Sequence, residues 1–248
     1  MYVDTGDRVI STLLLRDGFY ESHTTDLFKR LVKPDMTIID IGANIGYYTL
    51  MAAQLAGNKG KVYAFEPEPH NYDLLTKNIA INGYTNVIPI KTAVSNKSGT
   101  AQLFLDRVDF GRHSFSQETN IRRGRVIEVE TVTLDEFFEQ TVRNLSAHII
   151  KIDAEGAEGM IIEGAEKMLR NKLKIIMEFF PRGIRNTGID PLRLLHRMQD
   201  IGFRINTVID DIRHSVLSVP LTRQELIELI GLLENAKCGE AVNIIFER

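Results

Sequence analysis

Cysteine is almost absent from this sequence. Its 248 residues contain one, Cys238, so no disulfide can close within the chain and no cysteine cluster can bind zinc. A long apolar run is also missing: no segment reaches the roughly 20 apolar residues that a membrane-spanning helix needs. The opening residues, MYVDTGDRVISTLLLRDG, put Asp4, Asp7 and Arg8 where a secretory leader would have a basic end and then an unbroken apolar stretch. A soluble cytoplasmic protein with no membrane partner is the expectation. Nor is there a strong charge of either sign. Thirty Lys and Arg against 33 Asp and Glu give a net charge of −3, which argues against bulk attraction to nucleic acid. With 44% hydrophobic residues, 25% charged residues, 18 Gly and 7 Pro, collagen-like, low-complexity and disordered chains are excluded.

What is present is an alternation of short β-rich runs with longer helical ones. Met36 to Ile41 reads as a buried strand, Gly46 to Ala56 as a helix stopped by Gly57, and Lys61 to Phe65 as a second strand. A helix from Pro69 to Asn82 follows, with prolines in its first turn and Asn82-Gly83 at its end. Val87 to Ile90, Ala147 to Ile152 and Leu173 to Phe179 supply three more strands, and Phe203 to Ile209 and Ala241 to Phe246 the last two. Helices are expected at 155–170, 191–201 and 222–235. This order predicts a doubly wound α/β domain over 36–248 with a mostly parallel sheet, and an N-terminal segment, 1–35, capping one edge. Strands at 101–105 and 126–132 flank a long loop, 106–125, with five Arg against three acids. A loop of that length is unusual unless it is functional or disordered.

The chemistry concentrates at the first strand–helix junction, Asp40-Ile41-Gly42-Ala43-Asn44-Ile45-Gly46. Ligands of doubly wound sheets bind outside the carboxyl ends of the strands, and Glu66, ending the second strand, is placed to accept from the hydroxyls of a ribose. Two cofactors fit this outline. A nicotinamide dinucleotide wants G-x-G-x-x-G under its pyrophosphate, but Asn44 and Tyr47 stand where the second and third glycines belong, and Asp40 adds a negative charge there. S-adenosyl-L-methionine carries an ammonium and a sulfonium and no phosphate, so the acid helps it.

DIGANIGYYTLMAAQL, VYAFEPEPHNYDLLTKNIAING, TAVSNKSG and IIKIDAEGAEGMIIEGAEKML resemble, in order and spacing, the FkbM family of S-adenosylmethionine-dependent methyltransferases. The resemblance runs from about Gly18 to Phe180. It implies a Rossmann-like class I methyltransferase fold with seven strands, the last antiparallel, and O-methylation of a sugar or other small hydroxylated acceptor. By position, Asp40, Gly42, Ala43, Asn44 and Gly46 would line the methionine end of the cofactor. Glu66 and Pro67 would hold the ribose, Ala93 and Val94 would lie along the adenine, and Asp153 would sit level with the transferring methyl. The family's early Glu-x-Thr corresponds to His23-Thr24-Thr25, with the acid replaced and Thr25 left to touch the cofactor carboxylate.

A hydroxyl acceptor must lose a proton, and a positioned base contributes roughly 10²–10⁴-fold. The candidates are Asp153, Glu155, Glu178 and His113, the last within Gly111-Arg112-His113-Ser114 of the basic loop. Glu155 reads equally well as a first-turn helix acid, and Glu178 as the partner of an arginine such as Arg182. No spacing is diagnostic of a metal and none is expected, although Asp153, Glu155 and Glu178 would suit a hard cation. An NAD-type oxidoreductase and a non-catalytic binding protein on the same fold are the alternative readings.

Overall fold

The computed structural model describes residues 1–119, 123–142, 145–218, 221–236 and 240–248. The first half of the chain runs α1 (Ile10–Asp17), α2 (Ser22–Leu31), β1 (Thr37–Ile41), α3 (Tyr47–Ala56), β2 (Lys61–Phe65), α4 (Pro69–Ile81), β3 (Val87–Ile90), β4 (Ala93–Val94), β5 (Gly99–Asp106) and β6 (Arg123–Val132). The second half runs α5 (Leu134–Thr141), β7 (Ile149–Ile152), α6 (Glu158–Glu163), a 3₁₀ turn (Met168–Arg170), β8 (Lys174–Phe179), α7 (Pro181–Asn186), α8 (Pro191–Asp200), β9 (Arg204–Asp210), β10 (Ser215–Ser218), α9 (Arg223–Asn235) and β11 (Val242–Glu247).

The main sheet has the order β10-β9-β11-β8-β7-β1-β2-β3. Strands β3, β2, β1, β7 and β8 are parallel, and β11 enters between β8 and β9 antiparallel to both. The expected final antiparallel strand is therefore present, but the sheet has eight strands rather than seven. The extra one, β10, is a short edge strand that folds back on β9. Its Val216 and Leu217 are about half exposed, so it carries no buried-strand signature. A second sheet, β4-β6-β5, is built on the β5–β6 hairpin.

Both faces of the main sheet are covered. Ile39, Ile41, Ile150 and Ile152 face a core shared with α6, α8 and α9, while Ile38, Val62 and Ile149 face one shared with α2, α3 and α4. The N-terminal segment contributes to that second core through Phe28 and Val32, with α2 packed on α3 and β9. It thus covers a face where an edge position is expected. The helix predicted over 155–170 is interrupted. Glu155 has φ +47°, outside the right-handed region, and a Cβ at Gly164 would lie 2.1 Å from the Ser95 carbonyl oxygen, so the chain leaves the helix where it meets that backbone. No helix among the described residues is long and apolar enough to cross a membrane.

Candidate active site

A cavity of about 540 Å³ opens at the carboxyl ends of the parallel strands, where this topology places ligands. Its floor is the turn after β1. Gly42 has φ +77°, and a Cβ there would lie 1.7 Å from the carbonyl oxygen of Asp153, so β7 approaches too closely for any side chain. Asn44, at φ +50°, is of a type that tolerates the left-handed region. Its backbone N–H donates to Glu66 Oε2 over 2.8 Å, and the Glu68 N–H donates to Glu66 Oε1 over 2.9 Å. Each Glu66 oxygen keeps a second lone pair. Burial pushes this carboxyl up to about 8, against the two amides that favour its charge. Pro67, Ala93, Val94, Leu103 and Phe115 form an apolar wall beside it.

A second group of carboxylates closes the other side. Asp153 follows β7, Glu155 comes two residues later, and Glu178 lies near the end of β8; all three line the cavity. One oxygen of each lies within 4.8 Å of the others. Lys151, 1% exposed, donates to Asp153 Oδ2 over 2.7 Å and stands 4.4 Å from the centre of the Tyr48 ring. Burial favours the neutral amine, but Asp153, Glu21 and Asp40 outweigh it and hold Lys151 protonated. Glu178 Oε2 is buried with no hydrogen-bond partner among the described residues. Arg182, its possible partner from the sequence, instead donates to the Glu234 carbonyl. Burial first, and then repulsion from Asp153, push the Glu178 carboxyl well above its ordinary range. For Glu155 the upward push of burial prevails over the opposing field of Arg112.

Four positions assigned to the cofactor from the sequence do not line the cavity: Thr25, Asp40, Ala43 and Gly46. Asp40 alternates with Ile39 and Ile41 along β1 and so faces α3, where Thr49 Oγ1 donates to its Oδ2 over 2.6 Å. Burial raises its pKa. Ala43 is buried, and Gly46 is the φ +96° residue that starts α3, against Leu75. Thr25, on α2, donates to the carbonyl of Tyr20, just before that helix, over 2.7 Å. The remaining assignments, Gly42, Asn44, Glu66, Pro67, Ala93, Val94 and Asp153, all lie in the wall.

Glu21 was not singled out in the sequence. It precedes α2 with φ +45°, lines the cavity, and accepts from Tyr48 Oη over 2.8 Å and from Asn243 Nδ2 over 3.1 Å. Burial, moderated by Lys151, brings its carboxyl to about 7. An acid of the N-terminal segment thus reaches the cavity two residues before His23. His23 itself donates its backbone N–H to Asp211 and packs on His214. A glutamate standing just before a helix in a segment otherwise read as a cap was the available signal.

The basic loop reaches the cavity through Phe110 to His113 and Phe115. The Phe110 carbonyl accepts from Asn44 Nδ2 over 3.0 Å and from Asn71 Nδ2 over 3.1 Å, which ties the loop to the glycine turn and to α4. Of its arginines, Arg112 lines the cavity, its guanidinium 5.7 Å from the centre of the Phe180 ring; Arg122 lies outside the described residues. His113 Nδ1 accepts from the Asp106 N–H over 3.0 Å, so the neutral ring carries its proton on Nε2. Burial lowers its pKa. With Nδ1 occupied, the neutral imidazole presents its Nε2–H to the cavity as a hydrogen-bond donor. Cys238 lies outside the described residues.

Among the described residues, nine Asp and Glu side chains and two arginines line the cavity. That lining is electrostatically poor for a pyrophosphate and favourable for a sulfonium and an ammonium. Together with the free lone pairs of Glu66 and the apolar wall, it fits S-adenosylmethionine.

Residues 40–205 match the family model described as the methyltransferase FkbM domain. The hexuronic acid methyltransferase AglP of Haloferax volcanii is 27% identical over 178 residues, 71% of this chain and 67% of that protein. Methyltransferase sdnD of Sordaria araneosa is 25% identical over 181 residues, 60% of this chain and 68% of that one. Among solved structures, the methyltransferase FkbM from Methylobacillus flagellatus superposes with a TM-score of 0.53 at 16% identity, over 98% of this chain. This chain spans 48% of that protein. The likeness, at that identity, concerns the fold, which is the Rossmann-like α/β fold of S-adenosylmethionine-dependent methyltransferases.

Proposed function

The chain belongs to the methyltransferase FkbM domain family, and from that premise we propose that it methylates an oxygen of a sugar or another small hydroxylated molecule. S-adenosyl-L-methionine supplies the methyl group and leaves as S-adenosylhomocysteine. Glu66 receives the ribose hydroxyls on the lone pairs that the Asn44 and Glu68 amides leave free. Ala93 and Val94 border the adenine, and Gly42 and Asn44 make room for the methionine end. Much of the rate enhancement in such an in-line transfer comes from positioning.

The observation that carries the reading is the division of the cavity. A ribose acceptor and an apolar wall stand on one side, and Asp153, Glu155 and Glu178 on the other. The acceptor oxygen takes its place among those carboxylates. Glu178, whose carboxylate lines the cavity, receives the hydroxyl proton as the new O–C bond forms. Lys151 fixes Asp153, Tyr48 fixes Glu21, and His113 Nε2–H donates to the acceptor. Arg112, in the wall, contacts a carboxylate on an acidic acceptor. The acidic lining supports a small-molecule acceptor over a nucleic acid, whose phosphates it would repel, and disfavours a nicotinamide dinucleotide for the same reason.

The test is incubation with methyl-labelled S-adenosylmethionine and a panel of neutral sugars, hexuronic acids and polyols. Label on an oxygen of at least one acceptor, with stoichiometric S-adenosylhomocysteine, is the expected result. Label found only on nitrogen or carbon, or no turnover across sugars and polyols alike, contradicts it.

A further inference from the structure

We propose that Asp153, Glu155 and Glu178 together hold one divalent cation of the oxygen-preferring class at the acceptor end of the cavity. The role given to the ion rests on the methyltransferase reading above; its binding does not. One oxygen from each side chain lies within 4.8 Å of the others. Two oxygens on one ion stand at most two bond lengths apart, roughly 4.2 Å for magnesium and roughly 5 Å for calcium. The cluster therefore matches calcium as it stands, and smaller ions after side-chain rotations of about half an ångström. The set contains no imidazole or thiolate, which selects hard cations over zinc or copper.

Carboxylates often gather without a metal, and two further features separate this group. Glu155 is nine-tenths buried and aimed into the cavity, and its carboxylate has no hydrogen-bond or ion-pair partner among the described residues. Glu178 Oε2 is likewise buried and unpartnered. Lys151 is ion-paired with the group through Asp153, and Arg112 acts on Glu155. A cation there holds the acceptor oxygen in line with the methyl group and lowers the pKa of its hydroxyl. Each ligand offers the ion one oxygen, so Glu178 keeps its second for the proton.

The test uses Mn²⁺ as the probe, followed by electron paramagnetic resonance on the whole chain with no acceptor present, and S-adenosylmethionine binding in parallel. One Mn²⁺ per chain is expected, displaced by Mg²⁺ or Ca²⁺. Glu155→Gln and Glu178→Gln should each weaken it about tenfold or more, while Asp73→Asn, an exposed position on α4, leaves it unchanged. Wild-type protein that binds no Mn²⁺, or binding equal in all four proteins, overturns the cation site even where S-adenosylmethionine binds normally. Specific Mn²⁺ binding without S-adenosylmethionine binding supports the site and counts instead against the methyltransferase reading. Should a glutamine variant fail to fold, the wild-type stoichiometry and the other variant decide.

Discussion

Lys151 donates to Asp153 over 2.7 Å from a position that is 1% exposed. Its ammonium also lies over the Tyr48 ring, 4.4 Å from the centre, a favourable contact for a cation. A buried pair of this kind is strongly destabilising to break, because one charge is left uncompensated, at about 3–5 kcal/mol. Lys151→Met should lower unfolding stability by that order in urea titrations. Lys151→Met with Asp153→Asn should recover a measurable part of it. Equal loss in the single and double variants would show that Lys151 acts through packing alone.

Gly42 and Gly83 make a controlled comparison. Both have positive φ, +77° and +68°, but a Cβ meets the Asp153 carbonyl oxygen at 1.7 Å in the first and nothing within 4 Å in the second. Gly83→Ala should cost about 1–3 kcal/mol, the backbone strain of a left-handed residue. Gly42→Ala carries that strain and also drives apart the β1 turn and the end of β7. Its loss should exceed that of Gly83→Ala, and cofactor binding should disappear in calorimetry. Unaltered binding in Gly42→Ala would mean the turn is not part of the site.

His113 acts as a donor in this account. His113→Ala should lower turnover and leave cofactor affinity within about twofold, and His113→Gln, which keeps an N–H, should recover part of the loss. The pH profile of kcat/KM should keep the same limbs in both variants. Disappearance of an acid limb with His113 would restore it as the base.

Stability of the cofactor-free protein should fall as the pH rises. Burial lifts Glu66 to about 8 and Glu21 to about 7, whereas both titrate near 4.5 when unfolded. Between those values the unfolded chain has given up the protons that the folded chain retains, so the slope of stability against pH is negative. Melting temperatures should therefore be lower at pH 8 than at pH 5.5, and Glu66→Gln should flatten the decline. A rising curve over that window would contradict the burial of these groups.

Much of this architecture is legible in the amino-acid order, because β-branched runs such as Ile38 to Ile41 and Ile149 to Ile152 fix the strands, and Gly42 with Glu66 marks the ligand end. Asp40 shows where the reading fails. The motif identifies an acid in the turn, but the two-residue period of β1 aims it at α3, opposite in sense to Ile39 and Ile41. Glu21 fails for a different reason. It joins the site through Tyr48 and Asn243, 27 and 222 residues away, a tertiary placement that no local pattern encodes. β10 is too short and too exposed to carry a strand signature.

The central claim is that this cavity binds S-adenosylmethionine through Glu66, and calorimetric titration tests it most directly. Wild-type protein should bind about one S-adenosylmethionine per chain and no NAD, and Glu66→Ala should weaken that binding by about tenfold, the effect of losing hydrogen bonds worth about 1.4 kcal/mol in all. Heat from NAD alone, or an S-adenosylmethionine affinity that Glu66→Ala leaves unchanged, would contradict the account.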